Sequence, residues 1–256
     1  MQRRLMNIFK SLHANFGDRK WWPADSPFEV VVGAVLTQNT NWKNVEKAIA
    51  NLKRAKMLDA RKIAKCDLRK LQKLIRPSGF YKQKSKRLRE VARWFLEEKW
   101  KFLEDEFLRA DLLAINGVGE ETADSIMLYA LEKPEFVVDA YTRRFCDRHN
   151  LLGKASGASG KRKYCDYKCL FEENIPNNTE LFNELHALIV ELGKCYCKKE
   201  KPLCDKCPLK WDLPDKRRLR QGFRILSQAQ IPLPAKPPQC LHTSACLKAL
   251  QAALIQ

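Results

Sequence analysis

The stretch Leu112-Leu113-Ala114-Ile115-Asn116-Gly117-Val118-Gly119-Glu120-Glu121-Thr122-Ala123-Asp124-Ser125-Ile126 reads as an apolar helix end, a glycine hairpin and the immediate start of a second helix. Gly117 and Gly119 permit positive φ and close approach by another backbone. Val118 between them is expected to anchor the turn in the core. The amides of the hairpin and of the next helix's first turn, as far as Thr122, then point outward and can hold a phosphate. Alone, the same turn also suits two packed helices with no ligand. The composition of the whole chain favours the phosphate. Its 48 Lys+Arg against 30 Asp+Glu give a net charge of +18, an excess beyond ordinary surface solvation. Nucleic acid is the expected partner, ahead of an anionic membrane surface.

One helix further on stands Val137-Val138-Asp139-Ala140-Tyr141-Thr142. A carboxylate that opens a helix can be no more than an N-cap. It can also be chemistry. Removing a base from deoxyribose develops positive charge on the sugar, and a fixed, partly desolvated carboxylate stabilises that charge or activates the attacking water.

Toward the N-terminus, Trp21-Trp22-Pro23-Ala24-Asp25 reads as a loop with exposed aromatics. It is followed by Ser26-Pro27-Phe28-Glu29, with a capping serine, a first-turn proline and a glutamate three residues after the cap. These signals make Val30 to Leu36 a buried helix despite its valines. The next helix carries Val45, Ile49 and Leu52 on one face, and others carry Leu88, Val91, Ala92 and Phe95, then Leu181, Leu185, Leu188 and Leu192 with Gly193 as C-cap. Phe136-Val137-Val138 is the best strand candidate and is too short to seed a sheet. An all-α fold is expected.

No run approaches the roughly 18 apolar residues of a membrane span, and the basic N-terminus lacks the apolar core of a secretion signal. An intracellular, cytoplasmic and nucleoid-associated protein follows, with no sign of an oligomer, so a monomer is expected. Residues 216–256 contain no Asp or Glu and seven Lys+Arg, and read as a basic, disordered tail in which 247–255 could form a short helix. Of the ten cysteines, Cys195, Cys197, Cys204 and Cys207 fall close together. In a chain without a secretory signal such a cluster points to metal or iron–sulfur ligation rather than disulfides.

Hairpin, Val-Asp and cysteine cluster, in this order, resemble the endonuclease III superfamily of helix-hairpin-helix DNA glycosylases over about residues 25 to 210. Leu36-Thr37-Gln38-Asn39-Thr40 and Gly79-Phe80-Tyr81-x-x-Lys84 are similar to further family segments. The resemblance implies a two-lobed all-α glycosylase, with 26–133 as a helical barrel and 1–25 plus 134–215 as the second lobe. It implies that Asp139 is the catalytic aspartate and that Gln38 fills the gap left by a flipped base in double-stranded DNA.

Bifunctional members carry a lysine where this chain has Glu121. A carboxylate cannot form the Schiff base that leads to strand cleavage, so a monofunctional glycosylase is expected. Trp21, Trp22 and Pro23, with Trp42, resemble the base pocket of the 3-methyladenine DNA glycosylase III branch, where indoles would stack on a cationic alkylated purine. Cys197, Cys204 and Cys207 match three ligands of the family's [4Fe-4S] loop. The fourth position is Leu213, so Cys195, Cys240 or Cys246 would complete the set. The alternatives are a zinc site, a loop without a cluster, an endonuclease III-type glycosylase and AP lyase acting on oxidised pyrimidines, and a non-catalytic DNA-binding protein.

Overall fold

The computed structural model describes residues 1–19, 21–153 and 162–214; the basic tail 216–256, with Cys240 and Cys246, lies outside the described residues. The described elements are all helical: α1 (Gln2–Phe16), α2 (Pro27–Thr37), α3 (Trp42–Arg54), α4 (Ala60–Lys65), α5 (Leu68–Ile75), α6 (Tyr81–Leu96), α7 (Asp105–Ala114), α8 (Glu120–Ala130), α9 (Ala140–Arg148), α10 (Tyr164–Glu172) and α11 (Thr179–Cys195). No strand occurs among the described residues. None of these helices is long and apolar enough to cross a membrane.

Helix α2 starts where its cap signals place it. Ser26 Oγ accepts from the Glu29 amide at 3.2 Å, with Pro27 in the first turn. From Phe28 to Leu36 every residue is buried, so α2 is a central helix wrapped by α3, α6 and α8 rather than an amphipathic surface helix. Lys84 of α6 reaches into this core. Its fully buried ammonium donates to the carbonyls of Leu36 (2.8 Å) and Ser78 (2.6 Å), pinning the end of α2 to the turn before α6. Burial, then the neighbouring Arg87, lowers its pKa to about 8.

Buried apolar residues form two clusters. One gathers α2 to α8, from Phe28 to Ala130; the other gathers Leu5, Ile8 and Leu12 of α1 with residues from Leu128 to Leu209. The segment before Asp139 links them. Phe136, Val137 and Val138 are buried and lie outside any helix, and side chains satisfy their backbone in place of a neighbouring strand. The Phe136 amide donates to Glu172 (2.8 Å), the Val138 amide to the Tyr164 hydroxyl (3.1 Å), and the Phe136 ring stacks on Phe171 at 3.9 Å. A buried ion set joins the same elements: Asp124 takes Arg109 Nε at 2.6 Å and Lys168 Nζ at 3.2 Å, and Lys168 also pairs with Glu135 and Glu172.

One sequence expectation changes here. Gly193 does not end α11, which continues to Cys195. It lies inside the helix because a Cβ there would stand 2.2 Å from the Tyr141 ring. Close packing of α11 on α9, not a C-cap, demands this glycine.

Candidate active site and DNA interface

The hairpin between α7 and α8 is tight, with the Val118 amide donating to the Ile115 carbonyl at 3.0 Å and Val118 buried. Only Gly117 uses the left-handed region, at φ +82°; Gly119 is the extended N-cap of α8 and has open space where a side chain would be. That space, at the positive end of the helix, leaves room for a phosphate oxygen. Glu120 and Glu121 follow in the first turn, and Thr122 is buried behind them.

Gln38, in the turn after α2, is docked on this hairpin. Its Nε2 donates to the Gly117 carbonyl (3.0 Å) and to the Thr122 hydroxyl (2.9 Å), while its Oε1 accepts from Arg87 at 2.7 Å. Thr122 therefore orients Gln38 rather than facing solvent. Lys84 ties the turn before α6, which carries the exposed Phe80, to the end of α2.

Trp21, Trp22 and Trp42 form one aromatic group, and the two loop indoles are half-buried rather than exposed. Trp22 meets the edge of Trp42 at 5.1 Å and lies 5.2 Å from Tyr129 of α8, and Trp21 lies 6.0 Å from each of the other two. Gly33 makes room for the Trp22 indole, since a Cβ there would stand 2.9 Å from the ring. Lys194 Nζ lies 5.2 Å over Trp21, and Pro23 is exposed at the loop's end.

Asp139 is the N-cap of α9. Its Oδ1 accepts the Thr142 amide at 2.7 Å, and its side chain keeps 16% exposure. A chain of contacts links the tryptophans to this carboxylate. Tyr129 beside Trp22 contacts His186 Nδ1 at 2.5 Å, and His186 Nε2 lies 3.8 Å from Asp139 Oδ1. Glu121 reaches solvent at the rim, yet burial of its inner side and then repulsion by Asp139 push its carboxyl up to about 7, against the pull of Arg143. Glu121 thus sets a second carboxyl near enough to Asp139 to feel its charge.

Tyr129, His186 and Arg87 were not singled out as site residues in the sequence. His186 had a signal, a lone imidazole on the apolar face of α11 between Phe182 and Ile189. Arg87 had none, because its partner lies across the fold.

The cysteines divide. Cys197, Cys204 and Cys207 lie together: burial first, then the nearby Cys197 and Cys204, push the Cys207 thiol up. Arg148 donates to Cys197 Sγ at 3.1 Å. Exposed Cys195 faces Glu191 instead, at 3.3 Å. Among the described residues no group of three or more His, Cys, Asp or Glu has metal-holding geometry, these three thiols included.

Residues 32–165 match the model of the HhH-GPD superfamily of base excision DNA repair proteins. The chain is 50% identical over 213 residues to a protein of Methanocaldococcus jannaschii provisionally named a DNA repair glycosylase, covering 80% of this chain and 94% of that one. It is 31% identical to the endonuclease III of Thermotoga maritima, over 77% of this chain and 86% of the relative. Among solved structures, a 3-methyladenine DNA glycosylase of H. pylori bound to 1,N6-ethenoadenine is similar at TM-score 0.62 and 30% identity, covering 74% of this chain and 97% of that one. An endonuclease III–DNA complex superposes at TM-score 0.70 with 20% identity, covering 86% and 99%, and shows the shared fold.

Proposed function

We propose, from the premise that this chain belongs to the HhH-GPD superfamily of base excision DNA repair proteins and is a DNA glycosylase, that it hydrolyses an alkylated purine from duplex DNA without cutting the strand. The observation that carries this reading is the unbroken path from the three indoles through Tyr129 and His186 to Asp139, with Glu121 in place of an amine nucleophile. The structural relative bound to a modified adenine supports the purine class.

In this reading DNA lies across two lobes, residues 26–133 on one side and 1–25 with 134–215 on the other. The amides at Gly117 to Gly119 and the start of α8 hold a phosphate, and the lysine-rich surface adds salt-dependent affinity. Gln38 exchanges its hairpin bonds for the space left by the extruded base. The base enters among Trp21, Trp22 and Trp42, where a cationic ring gains cation–π attraction in addition to stacking. Asp139 then stabilises the charge developing on the sugar and accepts a proton from the attacking water. Glu121 is a carboxyl and offers no nucleophile for an imine. Cys197, Cys204 and Cys207 would supply thiolates to an iron–sulfur cluster whose fourth ligand is unassigned. Iron and sulfide assay of anaerobically purified protein tests that, and no catalytic step depends on it. The protein acts as an intracellular monomer.

The deciding experiment is base release from alkylated, oxidised and deaminated duplexes by wild type and Asp139→Asn. Asparagine caps a helix about as well as aspartate, so the fold and duplex affinity stay while base release falls by about 100-fold or more. Release of 3-methyladenine is expected. Clearance of a pyrimidine lesion without it overturns the substrate class, and a borohydride-trapped wild-type adduct overturns the monofunctional reading. An unchanged Asp139→Asn profile would point to a non-catalytic DNA-binding protein.

A further inference from the structure

Among the described residues, three buried side-chain polar atoms have no hydrogen-bond partner: Trp22 Nε1, Thr142 Oγ1 and His186 Nε2. All three belong to residues of the site described above. Unpaired buried polar atoms are rare in folded proteins and call for a specific cause. The hydrolysis scheme gives no role to Thr142 Oγ1 or to His186, and of the two His186 Nε2 is the atom set 3.8 Å from Asp139 Oδ1. It is fully enclosed between Tyr129, Asp139 and the Phe136 ring, which stands edge-on at 6.3 Å.

The position of its proton follows from its two neighbours. Tyr129 is buried, and burial followed by the nearness of Asp139 holds its phenol well above the ordinary value, so the hydroxyl keeps its hydrogen. Burial also lowers the His186 pKa, with Asp139 opposing, so the imidazole is neutral and carries one N–H. The Tyr129 hydroxyl can donate only to a bare Nδ1, and a bare Nε2 would set a lone pair against a carboxylate. The proton therefore sits on Nε2, facing Asp139.

We propose that His186 is a positioning residue for Asp139: with Nδ1 filled by Tyr129, its Nε2–H is directed at Oδ1, the oxygen already held by the Thr142 amide, so that Oδ2 is the oxygen presented to the sugar and the attacking water. This rests on the reading of Asp139 as catalytic. At 3.8 Å the contact is longer than a hydrogen bond, and a shift of about 1 Å in the carboxylate closes it. Closure with bound DNA satisfies the orphaned N–H and locks the carboxylate's rotation. A misplacement of that size in a reacting group costs about 100-fold in rate.

Two variants separate the donor from the packing. In His186→Gln the amide nitrogen reaches the place of Nε2, whereas His186→Asn reaches only the level of Nδ1. With the lesion duplex released fastest in the panel above, His186→Asn should lower the single-turnover rate by about 100-fold, with duplex Kd and Tm unchanged. His186→Gln should recover most of that rate. Long-range proton–nitrogen NMR on the free wild-type protein, which needs no substrate, should show the Nε2–H tautomer. A Nδ1–H tautomer, equal rates for the two variants, or a loss that appears in Kd or Tm instead of the rate overturns the inference. Asp139→Asn run alongside tells the failures apart. If it is inactive while His186→Asn is normal, only the positioning role falls; if it is fully active, the catalytic reading of Asp139 falls first.

Discussion

Gly117→Ala tests the hairpin at its most constrained point. Gly117 sits at φ +82°, where an alanine costs about 1–2 kcal/mol. The new Cβ would also stand 2.0 Å from Arg87 Nε, so the guanidinium must leave. With it goes the 2.7 Å bond to Gln38 Oε1, a charged hydrogen bond of about 2 kcal/mol. The variant should lose about 3.5 kcal/mol in all, which for a chain of this size lowers Tm by about 7–14 °C. Arg87→Ala alone should cost about 2 kcal/mol, because it removes the same bond without backbone strain. In the double variant the clash is gone and the bond is lost only once, so its cost should match that of Gly117→Ala, with a coupling of about 2 kcal/mol. Urea denaturation of the four proteins measures this cycle. Additive losses would refute the claim that Gly117 is glycine because Arg87 crosses over it. Affinity for undamaged duplex should fall in both Gly117 variants, since the phosphate amides move with the hairpin.

Three other outcomes follow from the same geometry. Asp124→Asn leaves Arg109 and Lys168 with one fewer buried counter-charge and should destabilise the protein by about 3 kcal/mol in denaturant melts, with an unchanged m-value. For Glu121, the carboxyl pKa is raised from 4.5 to about 7, so between those values the folded state holds a proton that the unfolded state has released. Stability should therefore fall as pH rises through that window, and Glu121→Gln should flatten this part of the profile in melts at pH steps across it. Gly33→Ala gains about 1 kcal/mol of helix propensity while its Cβ presses on Trp22 from 2.9 Å. Tm should change little while base release drops, and unaltered release would remove Trp22 from the pocket.

Helix positions were legible because they depend on neighbours in the chain. The cap at Ser26, the apolar stripes of α3 and α6, and the glycine hairpin are set within a few residues, and the structure forms each of them. Asp139 was legible as a carboxylate opening a helix, and it does cap α9. The resemblance added the grouping of hairpin, aspartate and tryptophans, which no local pattern contains. Gly193 was misread for the same reason: its neighbour Tyr141 is distant in sequence, so local spacing suggested a C-cap where packing was the cause.

What the sequence by itself determined is the all-α character, the hairpin, and the presence of a carboxylate, Glu121, two residues after Gly119, since each is a matter of residue type at a position along the chain. Tertiary structure alone decided that Tyr129 and His186 join the indoles to Asp139, that Gln38 is hydrogen-bonded to the hairpin, and that Cys195 pairs with Glu191. These contacts cross 57, 47 and 79 residues or depend on which way one side chain turns at a helix end. Hydrogen bonds and repulsions act over a few ångströms in space, and separation along the chain carries no record of them until the helices have packed.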